Sequence, residues 1–327
     1  MRQIYRHVIL LFLVFNLAAC STISGWFESD DDDATAPAEL TDIDETVNIK
    51  ELWSVDVGNG QGEGFYRLRP AIRGDMIYAA AADGEIVAVN RLSGDTVWEA
   101  ELETPLSGGV GVYEDTLLVG SSEGYVLRLD ANSGEKLWST PLRGEILSAP
   151  QSNGKVVVAQ TYDGRLQGLD YETGAILWTY DSNVPVLTIR GTSTPIFNNN
   201  QVYAGFANGR QQKASSFSGV AQGFSNVYVA DEDGTLTAYM RNGQGVRWTQ
   251  GALAYRELSR PTPVSSYVVV GDFEGYVHVL SQVDGNFVGR FRVDDEGIRA
   301  DMMSEANVLY VYGNSGELAA YEITAKN

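Results

Sequence analysis

The sequence predicts an all-β protein, a β-propeller of four-stranded antiparallel blades built on a repeat of about 40 residues. Three observations predict it. A turn dipeptide recurs as Asp83-Gly84, Glu123-Gly124, Asp163-Gly164, Asn208-Gly209, Asp233-Gly234, Glu274-Gly275 and Ser315-Gly316, with intervals of 40, 40, 45, 25, 41 and 41 residues between its glycines. A second small turn follows ten residues after the first glycine, at Ser93-Gly94, Ser133-Gly134, Thr173-Gly174 and Asp284-Gly285. Fourteen residues after that first glycine stands a tryptophan, at Trp98, Trp138, Trp178 and Trp248, and Trp53 opens the array.

Each part of the unit has a physical reason. Asp-Gly and Asn-Gly supply the positive φ values that tight hairpins demand. Apolar runs such as 155–160 and 267–271 precede the turn, and alternating runs such as 165–170 follow it. Alternation with period two gives each strand one face for a neighbouring blade. A tryptophan at a fixed position is placed to wedge between adjacent sheets and bury a large area. The array starts with a Trp-bearing strand, 51–57, and ends at 317–323, where the next Trp-bearing strand is due. The first strand is therefore expected to complete the last blade and close the ring non-covalently.

The period fails once. Only 25 residues separate Gly209 from Gly234, and Arg210 to Phe217 is poor in apolar residues, although Ser218-Gly219 keeps the ten-residue spacing. The expectation is a propeller over 49–325 with seven turn motifs and one blade truncated near 205–230.

Ahead of the propeller, residues 1–19 read as a secretory signal: Arg2 and Arg6, the apolar run from Val8, then small residues ending in Leu17-Ala18-Ala19-Cys20. Leu-Ala-Ala-Cys matches the lipobox of bacterial lipoproteins, which makes Cys20 the expected lipidation site. The apolar run is about half of what a bilayer-crossing helix needs. Residues 20–48 carry Glu28-Ser29-Asp30-Asp31-Asp32-Asp33 and a short Ala/Thr/Pro stretch, and are expected to form an acidic flexible tether.

Composition removes several function classes. The chain carries 23 Lys+Arg against 43 Asp+Glu. Without Arg2 and Arg6 the counts are 21 against 43, a net charge of −22. Such a surface repels phosphate backbones and anionic headgroups, so nucleic-acid binding is disfavoured and the membrane contact is expected through the lipid anchor only. Cys20 is the only cysteine, and His278 is the only histidine after the leader. A His/Cys metal cluster, a Cys nucleophile and a haem site are thereby excluded from the propeller. A Ser-His-Asp triad would need His278, which sits in the alternating run Tyr276-Val277-His278-Val279-Leu280 and reads as a strand side chain. No catalytic residue, metal or cofactor is expected.

The pattern of apolar run, Asp-Gly, alternating run, Thr/Ser-Gly and Trp resembles the pyrroloquinoline-quinone-type propeller repeat. Within it, Pro185-Val186-Leu187-Thr188-Ile189-Arg190-Gly191, Val269-Val270-Gly271-Asp272-Phe273-Glu274-Gly275-Tyr276 and the lipobox with its acidic tether resemble the BamB family. These are lipoprotein subunits of the outer-membrane β-barrel assembly (BAM) machinery. The resemblance implies a non-enzymatic scaffold, lipid-anchored in the outer membrane and facing the periplasm, that docks on a POTRA domain of BamA and assists the folding and insertion of unfolded outer-membrane proteins. It places the contact on the loop that carries Leu187, Ile189 and Arg190. Two apolar anchors beside an Arg with forked donors suit a binding hot spot.

The resemblance also marks departures. The family has eight blades, and its second partner-contacting loop, an Asp-x-Asp pair before a Thr-Pro strand start, has no counterpart in this sequence. Two other readings are weighed: a polymer- or sugar-binding lipoprotein using Tyr66, Tyr162 and Phe273, and a quinoprotein oxidoreductase, for which the vicinal cysteine pair is lacking.

Overall fold

A computed structural model describes residues 35–64, 67–182, 193–198, 201–205, 219–243 and 245–326. Within them every sheet is an antiparallel meander of strands that follow one another in sequence, with one exception. That exception is β1 (Val47–Asp56), which joins the end of the chain.

Blade one holds β2 (Ala71–Arg73), β3 (Met76–Ala80), β4 (Glu85–Asn90) and β5 (Thr96–Glu101). Blade two holds β6 (Leu106–Tyr113), β7 (Thr116–Ser121), β8 (Tyr125–Asp130) and β9 (Lys136–Pro141), and blade three β10 (Gln151–Ser152), β11 (Val156–Gln160), β12 (Arg165–Asp170) and β13 (Ile176–Asp181). Two strands follow, β14 (Ile196–Asn198) and β15 (Gln201–Tyr203). Blade five holds β16 (Val220–Gln222), β17 (Asn226–Ala230), β18 (Leu236–Met240) and β19 (Val246–Gln250), and blade six β20 (Thr262–Val264), β21 (Tyr267–Gly271), β22 (Tyr276–Ser281) and β23 (Phe287–Arg292). Blade seven pairs β24 (Met303–Glu305), β25 (Val308–Tyr312) and β26 (Glu317–Ala325) with β1 as its fourth strand.

The four-stranded β-propeller is thus as expected, including its closure by the first strand, which pairs with β26 from Val47↔Ala325 to Asp56↔Glu317. The irregularity is more confined than the interval between turn motifs suggested. Val220–Ala230, the last part of the stretch expected to be truncated, forms the first two strands of a complete blade. The short sheet lies before residue 219, with Asn208-Gly209 outside the described residues.

The repeat works as a clamp between blades. The Trp53, Trp98, Trp138 and Trp248 indoles donate from Nε1 to the carbonyls of Arg91, Ala131, Tyr171 and Gln282 at 2.9, 3.0, 3.0 and 3.1 Å. Each acceptor lies on the next blade, seven residues after that blade's turn glycine. The second glycine of the unit serves the same contact. A Cβ on Gly94, Gly134, Gly174 or Gly285 would come within 2.6–2.8 Å of Trp53, Trp98, Trp138 or Trp248, or of the Thr140 hydroxyl beside Trp138. Those glycines also have φ between 71° and 80°, so both space and backbone require them.

A β-bulge precedes Trp53, Trp98, Trp138, Trp178 and Trp248, and also Gly289 at the same place in β23. The register between third and fourth strands shifts at Ala88/Val89, Arg128/Leu129, Gly168/Leu169, Ala238/Tyr239 and Val279/Leu280, and at Glu51/Trp53 in the closing strand. The extra residue is left out of the ladder and the strand turns outward there. This explains the exposed Leu52, Val97, Leu137 and Leu177, each a bulge residue.

Contacts with the blades start before the expected boundary at 49. Ala38 N–H donates to the Ala254 carbonyl at 2.9 Å and Thr46 N–H to the Val288 carbonyl at 2.8 Å. Leu40 packs on the cluster of Trp248, Leu253, Leu258, Val268, Val270 and Leu280. Residues 38–46 therefore form a strap across blade six.

Candidate partner-binding site

Each blade ends on its fourth strand and the chain then crosses to the next blade on the side of the Asp-Gly turns. The crossing is fixed by one bond to the turn glycine: Leu102, Leu142 and Val293 donate N–H to the carbonyls of Gly84, Gly124 and Gly275 at 2.9, 2.7 and 2.9 Å. Ser182 makes the same bond to Gly164 at 2.9 Å. Ser182 is the last described residue before the segment 183–192. Leu187, Ile189 and Arg190 belong to that segment and lie outside the described residues, as do Cys20 and Tyr66.

The strand that precedes this segment differs from its counterparts. All six residues of β13 are exposed, whereas β5 and β9 each bury part of two side chains. Ile176, Leu177, Trp178 and Tyr180 present a run of apolar surface there. After the segment, Ser193, Thr194, Ile196, Val202, Tyr203, Ala204 and Gly205 line a shallow depression of about 400 Å³. At the strand's end Arg165 bridges Asp163 at 2.8 Å and Asp181 at 3.1 Å.

The turn face is acidic. Burial, with Glu99, Asp83 and Glu101 nearby, pushes the Glu85 carboxyl up from its ordinary value. Burial and the crowd of Glu51, Asp294, Asp56 and Asp295 do the same to Glu317. A face with this many carboxylates around Glu85 and Glu317 favours a cationic partner over an anionic one.

Of the aromatic residues considered for a polymer-binding face, the two that are described lie on different blades. Tyr162 and Phe273 sit on the turns of blades three and six, and Phe273 lies under the Arg256 guanidinium, 5.2 Å from ring centre to Cζ.

Sequence reasoning missed a charged cluster within blade six. Asp272, on the turn between β21 and β22, is fully buried, as is His278 on β22. Asp272 Oδ2 accepts from Arg256 Nε at 2.7 Å and from His278 Nε2 at 2.9 Å, while its Oδ1 accepts from the backbone of Glu274 and Tyr276 at 3.0 Å each. Arg290 Nε donates to His278 Nδ1 at 3.1 Å, and Arg256 also pairs with Glu274. Both ring nitrogens are thereby committed, which assigns the neutral Nε2–H tautomer and leaves no free nitrogen for base catalysis. Burial pulls the His278 imidazole below its ordinary value against the pull of Asp272. Burial pushes the Asp272 carboxyl up, but the bonds from His278 and Arg256 outweigh it, so its net shift is downward. The signal in the sequence was positional. Ala81, Ser121 and Thr161 occupy the place of Asp272 in blades one to three, three residues before the turn glycine. Among the described residues no group of three or more His, Cys, Asp or Glu side chains is arranged to hold a metal ion.

Comparison with known proteins places this architecture. A family model described as outer membrane protein assembly factor BamB matches residues 82–213. The protein of that name from Pseudomonas aeruginosa is 46% identical, over 98% of this chain and 99% of its own length. That alignment spans 383 positions against the 327 residues here, so the relative carries residues that this chain lacks. The Marinobacter adhaerens protein is 41% identical over 94% of this chain and 95% of its own. Among solved structures, BamB from Moraxella catarrhalis superposes with a TM-score of 0.68 at 22% identity, covering 84% of this chain and 98% of that one.

Proposed function

The chain belongs to the BamB family of outer membrane protein assembly factors, and we propose that it serves the BAM complex as a non-enzymatic scaffold lipoprotein. The observation that carries this reading is 46% identity to a named assembly factor along nearly the whole of both chains. In this reading residues 1–19 are removed as a signal peptide, Cys20 carries the lipid, and the propeller faces the periplasm from the outer membrane. Two or more acyl chains hold a protein on a bilayer where one does not.

The proposed docking residues are Leu187, Ile189 and Arg190, with a BamA POTRA domain as the partner. What supports them is the exposed apolar surface of β13, the strand that precedes them in the chain. Unfolded outer-membrane proteins are the proposed clients, and extended segments suit the exposed edges of fourth strands.

Pull-down from solubilised outer membranes, read by mass spectrometry, tests this function. BamA is expected with the wild-type chain. Arg190→Ala should reduce its recovery several-fold while unfolding free energy moves by less than about 0.5 kcal/mol, as for a surface side chain. Cys20→Ser should leave the outer-membrane fraction. Recovery of BamA undiminished by Arg190→Ala and by Leu187→Ala together would remove the loop from the docking site.

A further inference from the structure

The buried cluster of blade six and the strap over it are one device. Arg290 holds both: its Nε donates to His278 Nδ1 at 3.1 Å, and its Nη1 donates to the Thr41 carbonyl at 2.9 Å. Arg256 does the same one step along, with Nε on Asp272 at 2.7 Å and Nη1 on the Ala38 carbonyl at 3.0 Å. The strap thus rests on two guanidinium groups whose other ends are fixed by the Asp272–His278 pair.

We propose that His278 is a pH-sensitive lock on the strap, and that taking a proton on Nδ1 ejects Arg290 and loosens residues 38–46 on blade six. In the neutral state Nδ1 is an acceptor, and Arg290 Nε–H points at it. A proton gained there turns the acceptor into a donor, so two N–H groups face each other and the bond is lost. The new charge also stands among cations. Facing the imidazole are Asp272 and, further out, Glu274 from the β21–β22 turn, Arg256 from the connector after β19, Arg290 and Phe287 from β23, and Tyr276 on its own strand. From the strap, the Asp42 carboxylate acts on Arg290.

Asp272 cannot balance the added charge alone, since its two oxygens already accept four hydrogen bonds. Arg290 is half-exposed and is the partner able to move outward. When it moves, the Thr41 carbonyl loses its donor. What remains on the strap is Leu40 on its apolar cluster, the Arg256 bond to the Ala38 carbonyl, the backbone bonds of Ala38 and Thr46, and Lys326 on Thr46 and Glu45. In the acid state the strap loses its hold at Thr41, and its remaining bonds, Thr46 to the Val288 carbonyl of β23 among them, open to water more often.

The test uses the processed lipoprotein from Cys20 in detergent, without a polyhistidine tag, so that His278 is its single imidazole. Its C2 proton resonance should titrate with a midpoint below 6.5. Hydrogen-exchange protection of residues 38–46, corrected for intrinsic exchange, should fall at least tenfold across that midpoint while β9 is unchanged. His278→Gln should keep the strap protected at both ends of the range. Arg290→Lys, too short to hold two acceptors, should leave it unprotected throughout, and serves if His278→Gln fails to fold. Titration of His278 with the strap unmoved, equal release in His278→Gln, or full strap protection in Arg290→Lys at pH 7 would each overturn the proposal.

Discussion

Blades five and six meet through a tryptophan, whereas blades six and seven meet through a glycine. Trp248 of β19 reaches the Gln282 carbonyl and lies on Gly285, as its counterparts do in blades one, two and seven. The corresponding position of β23 is Gly289, where a Cβ would stand 2.6 Å from Val47 Cγ2 and 3.0 Å from Ile49 Cδ1. There β1 and the strap fill the place of an indole, and the bulge residue Val288, exposed in kind elsewhere, gives its carbonyl to Thr46. A repeated contact is carried by one residue per unit, while an unrepeated one is assembled from distant parts of the chain. The first is robust to small shifts elsewhere. The second can be opened by a single local change.

The largest effect is expected at the clamp. Trp248 is 8% exposed, and Trp248→Ala should cost about 3–5 kcal/mol of unfolding free energy, seen as a lower midpoint in urea at constant slope. A cost under about 1 kcal/mol would mean that the strap and closing strand, not the indole, hold blade six in place.

Putting the indole where the glycine stands attacks the other side of the comparison. Gly289→Trp has no room beside Val47, which is 2% exposed, and should cost about 1–3 kcal/mol by overpacking. It should also release the Thr46–Val288 bond, raising hydrogen exchange over 38–47. Stabilisation by Gly289→Trp would show that blade six accepts the ordinary clamp.

Acid separates the two contacts as well. His278 is held below its ordinary value by burial, so below about pH 6.5 the unfolded chain binds a proton that the folded chain refuses. Stability should therefore fall as pH drops from 6.5 to the folded-state pKa, by at most about 1.4 kcal/mol per pH unit. Asp272, net depressed, acts in a lower window: its contribution is complete above the ordinary carboxylate pKa and is lost as pH falls through the folded value. Denaturant midpoints between pH 7 and 5 should slope in the wild-type chain and flatten in His278→Gln.

The clamp was legible in the sequence because it recurs. The glycine at ten residues and the tryptophan at fourteen were visible as separate regularities, and the structure shows them to be partners across a blade boundary. Closure was legible for the same reason, since the last unit lacked a fourth strand and the first strand had a tryptophan to spare. The strap was not. Leu40 and Thr41 have no periodic signature, and an acidic run upstream made the stretch read as spacer. Nor was the lock, because His278 in a period-two run carries no mark of Asp272 six residues away or of Arg256 on another connector. The truncated unit was located only to within a blade, since a missing repeat shifts the spacing without saying which side of the gap is intact.

The smallest expected effect lies beside the proposed docking loop. Trp178 keeps the fourteen-residue spacing, but it is 37% exposed where Trp53 and Trp248 are each 8%. Its ring lies on Gly168 of its own blade, the cross-strand partner, rather than on a glycine of the next. By the repeat its acceptor would be the carbonyl of Ser216, which lies outside the described residues. With less area removed from water, Trp178→Ala should cost about 1 kcal/mol, well under half of the Trp248→Ala effect in the same denaturant series. An equal cost would show that blade three is clamped like its neighbours, and that the apolar surface of β13 is not spare. A small cost, combined with loss of BamA from pull-downs of Trp178→Ala, would make this indole part of the docking face, freed for a partner because it is not spent on a blade.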